Sequence, residues 1–461
     1  MERIQLDSQS GLWPGYPDAL IAGGFCFLSG IAGLDARGDF VGGWGDLDDE
    51  GRARATGATS ADAQAGPVGA QLWSIYRTLE RLLASRGGTL DDLLRIHSYQ
   101  KDKRFFPVRE QVRIRFEPKS PAPSSGVGVL DGSPDGVAQA VTDGIAIDPR
   151  SWRFEGRRSV ARAAGALPSA SHYSQAVQAG PYLFLAGQIP VDSAKPGKPL
   201  VRTYEDVPPE GRFLQVGRSH SDARNGPIAA QAWFNYNHIR HVLEGCGSRM
   251  EDIVNVTIFL QDMRDFHVFH EIHRHFFPTT APTLTVTEFN EVGHNGTLIE
   301  TEVTAMRAGA GADRRMIMKA GDLDPGCHAA LACEAGPLVY LSGRFGAVRK
   351  GRVVQDRSAL PEALWAETAA IGRVTRRPEA ACQAMRIFED LRIILAESGL
   401  GLSALAKMTL YLEDFADFPA FDYACRHHLG DARPALACVA IPRVSPVPGA
   451  RMCVEAIAVK E

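Results

Sequence analysis

A long-period repeat constrains this chain more than any other feature. Gln71, Gln231 and Gln383 stand near the start of three amphipathic stretches, and Asp102, Asp262 and Asp414 follow three β-branched runs; both series step by 160 and then by 152 residues. Two landmarks with identical steps mark duplication of a whole unit, and a period this long sets the architecture before any motif is read. Each copy has the same plan. An apolar run comes first (Phe25 to Gly30, Leu183 to Gln188, Val339 to Arg344), then the Gln-bearing helix, a Gly turn, a strand (Leu93 to Tyr99, Ile253 to Leu260, Leu405 to Leu412), the Asp turn and a second helix. Closing strands end at Ala146, Thr304 and Ala458.

The pattern predicts an α+β chain of three tandem β-β-α-β-α-β-β units, one sheet with two helices on one face, over residues 1–150, 151–308 and 309–461, the first copy being the most degraded. Linkers are expected at the Arg- and Ala-rich stretch Asp148 to Ser169 and at the Gly/Ala stretch Arg307 to Asp313. At 461 residues the chain is too long for one hydrophobic core, which agrees with three.

Charge narrows the partners. With 50 Lys and Arg against 54 Asp and Glu, scattered without a basic stripe, there is no footprint for a phosphate backbone, so nucleic acid is not an expected partner. No run approaches the ~18 apolar residues of a membrane span, and Met1-Glu2-Arg3-Ile4-Gln5-Leu6 has no apolar core of a leader, so no membrane association and a cytoplasmic location are expected. Eight cysteines without a C-x-x-C pair fit neither a zinc ribbon nor a disulfide framework. His267, His270, His273 and His275 crowd one helix, but His270-Glu271-Ile272-His273 is one residue short of H-E-x-x-H, so no metal and no cofactor are expected.

Ala186-Gly187-Gln188-Ile189-Pro190-Val191, the run Asp252 to Asp262 and Val454 to Val459 resemble signature stretches of the RidA/YjgF reactive-intermediate deaminases, in the family's order and over nearly the whole chain. The resemblance implies a chorismate-mutase-like fold and, because family members are homotrimers with a site in each cleft between subunits, a single-chain pseudo-trimer that is monomeric or pairs into dimers. It implies hydrolysis of a small carboxylate-bearing enamine or imine with release of ammonia, and the aromatic-catabolic 2-aminomuconate branch is the best match of substrate. The alternatives are a non-catalytic ligand-binding pseudo-trimer, or another hydrolase or lyase chemistry in the same clefts.

Site residues carry over unevenly. The family arginine that grips the carboxylate follows a Pro-x pair, yet Pro121-Ala122-Pro123-Ser124, Pro282-Thr283-Leu284 and Pro434-Ala435-Leu436 all lack it. The glutamate that handles water matches Glu300, while Val141 and Cys453 fill that slot in the other units. Where the family has an asparagine on the second helix the chain has Glu110, His270 and Asp422. The resemblance therefore implies Glu300 and His270 as catalytic residues. For substrate binding it implies Tyr16 and Tyr173 at the family's tyrosine position, the strand exits Ser29-Gly30, Gly187-Gln188 and Ser342-Gly343, and Arg344 as a substitute cation.

Overall fold

The computed structural model describes residues 1–6, 12–309, 314–323, 325–348, 352–375 and 377–461. Residues 310–313 of the second expected linker lie outside these. Three mixed sheets account for the units. The first orders its strands as Glu2–Ile4, Ala19–Ala22, Phe25–Ala32, Ala140–Ile147, Leu93–Gln100 and Ser124–Gly128, with the short strand Glu291–Val292 added at its edge. The second and third repeat the six-strand order with Arg157–Val160 and Arg314–Ile317 as the outermost strands.

That outermost strand adds to the expected β-β-α-β-α-β-β plan: each unit begins with an additional antiparallel edge strand. In the second unit it comes from the stretch Asp148 to Ser169, so this segment is partly sheet. Short, polar and Arg-rich, such edge strands carry no alternating apolar signal.

The two repeat landmarks each do a local backbone job. The Gln231 amide donates to the carbonyls of Val201 (2.9 Å) and Gly296 (3.0 Å) and accepts from Leu298 N–H (2.7 Å). Gln71 does the same with Val41, Val137 and Gln139, and Gln383 with Val354, Gly449 and Arg451. One buried side chain thus satisfies three loop groups in each unit. Asp102, Asp262 and Asp414 accept the backbone N–H two residues on, starting the turn into the second helix. The first helices are Thr59–Ala84 and Ser219–Gly245, whereas the third copy is broken into Trp365–Val374 and Pro378–Ala396, with a proline opening the second piece.

Each sheet turns one face to its own helices and the other to the remaining sheets. In Ile253–Leu260, Val256, Ile258 and Leu260 pack under the helices of the second unit, while Val254 joins a core drawn from all three sheets, including Phe27, Phe184 and Tyr340. Strands buried on both faces read as continuous apolar runs for this reason.

The sheets meet at three seams, in cyclic order. Gly187 N–H donates to the Ser124 carbonyl (3.2 Å), Leu284 N–H to Ser342 Oγ (2.8 Å) and Leu436 N–H to Ser29 Oγ (2.9 Å). At the middle of this ring, Asp143, Glu302 and Glu455 occupy matching strand positions, opposite His97, Thr257 and Thr409 respectively. Three identical carboxylates could not stay charged together there. The chain instead pairs Glu302 with Arg95 (2.5 Å) and His97 (3.0 Å), Asp143 with His97 (2.6 Å) and Lys407 (2.9 Å), and Glu455 with Thr257 (2.8 Å) and Asn255 (3.2 Å). Burial opposes charge on His97, but the carboxylates of Glu302 and Asp143 hold its pKa at about 10. Burial also works against Asp143 and Glu302, and their cations bring both down to about 2.

Candidate active site

A cavity of about 570 Å³ opens at the seam between the first and second sheets. Its walls come from both units: the turn and helix Lys103–Phe116 and the strand at Ser124 and Gly126 on one side, Tyr173, Gly187 and Glu300 on the other. Glu300 sits on the strand Ile299–Met306 opposite Phe259, and it is 3% exposed. Burial pushes its carboxyl up to about 7, against the pull of the Lys103 ammonium, and Glu302 two residues on adds to the rise. A carboxyl that changes charge near neutrality is matched to taking and returning a proton.

Gly187 has a specific reason to lack a side chain. A Cβ there would stand 2.1 Å from Glu300 Oε1 and 2.6 Å from Ser125 Oγ, so only glycine lets the strand pass the carboxylate. Tyr173 lies on the same wall, where burial raises its pKa and Glu300 and Glu110 add to the rise. Glu110, from the first unit's helix, accepts from Arg109 (3.0 Å), from Ser171 Oγ (2.6 Å) and from His172 N–H (3.3 Å), which fixes the facing loop against the helix. Tyr173, Gly187 and Glu300 of the expected set are thus brought to one cavity.

The others go elsewhere. His270 does not join Glu300. It stands at the seam between the second and third units, where its Nε2 accepts His328 N–H (2.9 Å). The two expected catalytic residues therefore stand at different seams: a helix of one unit faces a strand of the next, so the group facing Glu300 is Glu110 of the first unit. Neighbouring His273 bridges Tyr236 (2.7 Å) and the His328 carbonyl (3.1 Å), and burial pushes it down to about 3, keeping it neutral.

Ser29 and Ser342, expected to bind substrate, act as seam staples. Each donates to a carbonyl of its own unit, Pro17 and Ala330 (both 2.6 Å), while accepting an N–H of the neighbouring unit. At the cavity seam the matching residue is Ala186, which has no hydroxyl to do this. Gly30 lies against Val141 and Ala437, and Gly343 against the Cys453 thiol and the Thr285 hydroxyl, which accepts its N–H (3.1 Å), so neither of these strand exits faces a carboxylate as Gly187 does. Burial pushes the Cys453 thiol up, which keeps it protonated. The Gln188 side chain folds back on the Ala186 carbonyl (2.8 Å), and Arg344 is buried against Asp390 (2.7 Å) in its own unit, so it is not a free cation for a ligand. Tyr16 donates to Asp422 (3.1 Å) at the third seam, where the Arg433 guanidinium lies 4.9 Å from the Tyr16 ring centre.

Several wall residues have no counterpart in the expected set. At Ser124, the slot of the absent strand arginine, the hydroxyl instead accepts from Arg113 (2.7 Å) on the helix. Lys103 and Arg109 also line the cavity. Lys103 occupies a position held by Met263 and Phe415 in the other units, a difference visible once the repeats are aligned.

A family profile described as Endoribonuclease L-PSP matches residues 215–307 and 365–460. A RutC family protein of Pyrococcus horikoshii is 30% identical over 135 residues, 29% of this chain and 86% of that protein. The 2-iminobutanoate/2-iminopropanoate deaminase of Dermatophagoides farinae is 29% identical over 27% of this chain and 77% of its own length. Among solved structures, yeast Mmf1 is 24% identical over 33% of this chain and 99% of that one, with a TM-score of 0.26. A chorismatase covers 80% of this chain and 93% of its own at 11% identity and a TM-score of 0.47.

Proposed function

The chain belongs to the RidA/YjgF family, which takes in the RutC proteins, and on that premise we propose that it is a hydrolytic deaminase of a small, carboxylate-bearing imine or enamine. The observation that carries this reading is the buried Glu300 carboxyl, poised near neutrality on the wall of a cavity formed by the first and second units. An enamine substrate first takes a proton on carbon to become the imine. Glu300 then accepts a proton from water as the oxygen bonds to the C=N carbon and the C=N electron pair moves to nitrogen, and it returns that proton to the nitrogen. In the collapse Glu300 takes the hydroxyl proton and passes it to the nitrogen as the C–N bond breaks, so that ammonia leaves and the carbonyl remains. The sum is imine plus water giving ketone plus ammonia.

The cavity has room for an acid larger than 2-iminobutanoate, which favours a six-carbon 2-aminomuconate-type ring-cleavage product. We place the reaction in the cytoplasm, with residues 1–150, 151–308 and 309–461 as three units of one pseudo-trimer.

Ammonia release from a freshly generated 2-imino acid, followed across pH, tests the reading. Because only the ionised Glu300 accepts a proton, the rate is expected to rise with pH through an apparent pKa near 7 and level off above it. A rate equal to the uncatalysed one would identify a binding protein, and a rate independent of pH between 5 and 9 would remove Glu300 from the proton path. Light scattering is expected to give 49.9 kDa or twice that, since the three seams are already closed within one chain. Three times that mass would contradict the pseudo-trimer.

A further inference from the structure

The anionic end of the substrate needs a cation that the protein has not already neutralised. Four basic side chains of the first unit line the cavity, and their partners separate them. Arg104 is exposed and paired with Asp102 (2.9 Å). Arg113 is spent: its guanidinium bonds Glu117 (3.3 Å), Ser124 Oγ (2.7 Å) and the Ala122 carbonyl. Arg109 lies over the Phe106 ring near Gly126 and is paired with Glu110 (3.0 Å), and its second nitrogen is buried with no partner among the described residues. It lends positive potential without presenting a free edge.

Lys103 differs. Its Nζ donates to one neutral acceptor, the Gly126 carbonyl (2.6 Å), and no ion pair holds it among the described residues. An ammonium has three N–H donors, so two remain for a ligand. The residue is half-buried in the turn just after the Asp102 cap, where its own N–H is held by Glu291 (2.8 Å) and its Nζ lies 5.6 Å from the Phe106 ring centre. Glu300 and Glu291 are the carboxylates that act on it, and Arg109 is the cation.

We infer that Lys103, contributed by the first unit, binds the substrate carboxylate in the cavity whose proton acceptor is Glu300 of the second unit. The inference rests on the proposed deaminase reading for the identity of the acid. It also gives a physical meaning to the unit difference: Met263 and Phe415 at the same turn carry no charge, so the other seams lack this anchor.

Calorimetric titration with 2-oxobutanoate, the keto acid left by deamination of 2-iminobutanoate, measures the anchor without turnover. Lys103→Met, which installs the side chain the second unit already carries there, is expected to weaken binding about 10- to 150-fold, the range of one charge-assisted hydrogen bond. In kinetics the same variant is expected to raise KM with little change in kcat, the mark of an interaction made equally in ground and transition states. Lys103→Arg is expected to restore most of the affinity, and this variant together with Lys103→Gln carries the test if Lys103→Met does not fold.

If the wild type binds 2-oxobutanoate and Lys103→Met loses it while neither releases ammonia, the anchor stands and the deaminase reading fails. If the wild type deaminates and Lys103→Met binds within twofold of it, the anchor is overturned and the deaminase reading stands. A wild type that binds no 2-oxobutanoate at millimolar concentration overturns the anchor outright.

Discussion

Replacing Glu300 by Gln is expected to lower turnover by ~10²–10⁴-fold while leaving ligand affinity and melting temperature near their wild-type values. Glutamine keeps the length and one acceptor oxygen that faces Gly187, so the tight approach of that strand survives. What disappears is the ability to accept a proton. Melting is not expected to fall, because burial raises the pKa of Glu300, so its ionised form is less at home in the folded state than in the unfolded one. The control change Glu455→Gln, at the position that matches Glu302, should leave turnover largely in place, since Glu455 is held by Thr257 and Asn255 away from the cavity wall. Full turnover in Glu300→Gln together with its loss in Glu455→Gln, both with unchanged melting, would move the chemistry to another cleft.

Lys407→Met is expected to cost stability rather than chemistry. Its ammonium, 4% exposed, crosses from the third unit to Asp143 (2.9 Å) and the Leu28 carbonyl (2.8 Å) of the first. Removing one partner of a buried pair costs about 3–5 kcal/mol when nothing compensates the charge left behind, so this is the upper limit here. His97 remains as the only charged neighbour of Asp143 within ion-pair distance among the described residues. The pH window follows from the directions of shift. The Asp143 and Glu302 carboxyls are held at about 2, so their contribution is present above the ordinary carboxylate range and is lost as pH falls toward 2. His97 is held at about 10, so its contribution is complete below the ordinary imidazole value and is lost as pH rises toward 10. Denaturant midpoints at neutral pH measure the loss, and adding Asp143→Asn to Lys407→Met should recover part of it. A change under about 1 kcal/mol would mean that the ring centre admits water.

The repeat was legible because its landmarks serve backbone groups within one unit. Gln71, Gln231 and Gln383 each satisfy three loop groups, and the Asp caps act on residues two positions away, so no tertiary information is needed to see them. The edge strands were not legible, since Arg157–Val160 gains its place only by pairing with Ala176–Ala179. The site divides in the same way. Glu300, Gly187 and Tyr173 lie in one unit and converge within it. The choice of the facing helix depends on the cyclic order of the sheets, which sequence alone does not carry, and so nothing in the sequence separates His270 from the cleft of Glu300. Lys103 sits in a turn that reads as a helix start; aligning the repeats sets it apart from Met263 and Phe415, and its partners, none of them ionic among the described residues, give that difference a meaning. Arg344 looked like a free cation because Asp390, its partner, lies on a helix 46 residues away.

Placing the reaction at one seam is the central claim, and a crystal structure of the protein soaked with 2-oxobutanoate tests it most directly. Density for the keto acid is expected in the cavity between the first and second units, its carboxylate on Lys103 and its carbonyl carbon facing Glu300, with the seams at Cys453 and Val141 empty. Density at either of those seams, with the Glu300 cavity vacant, would contradict it.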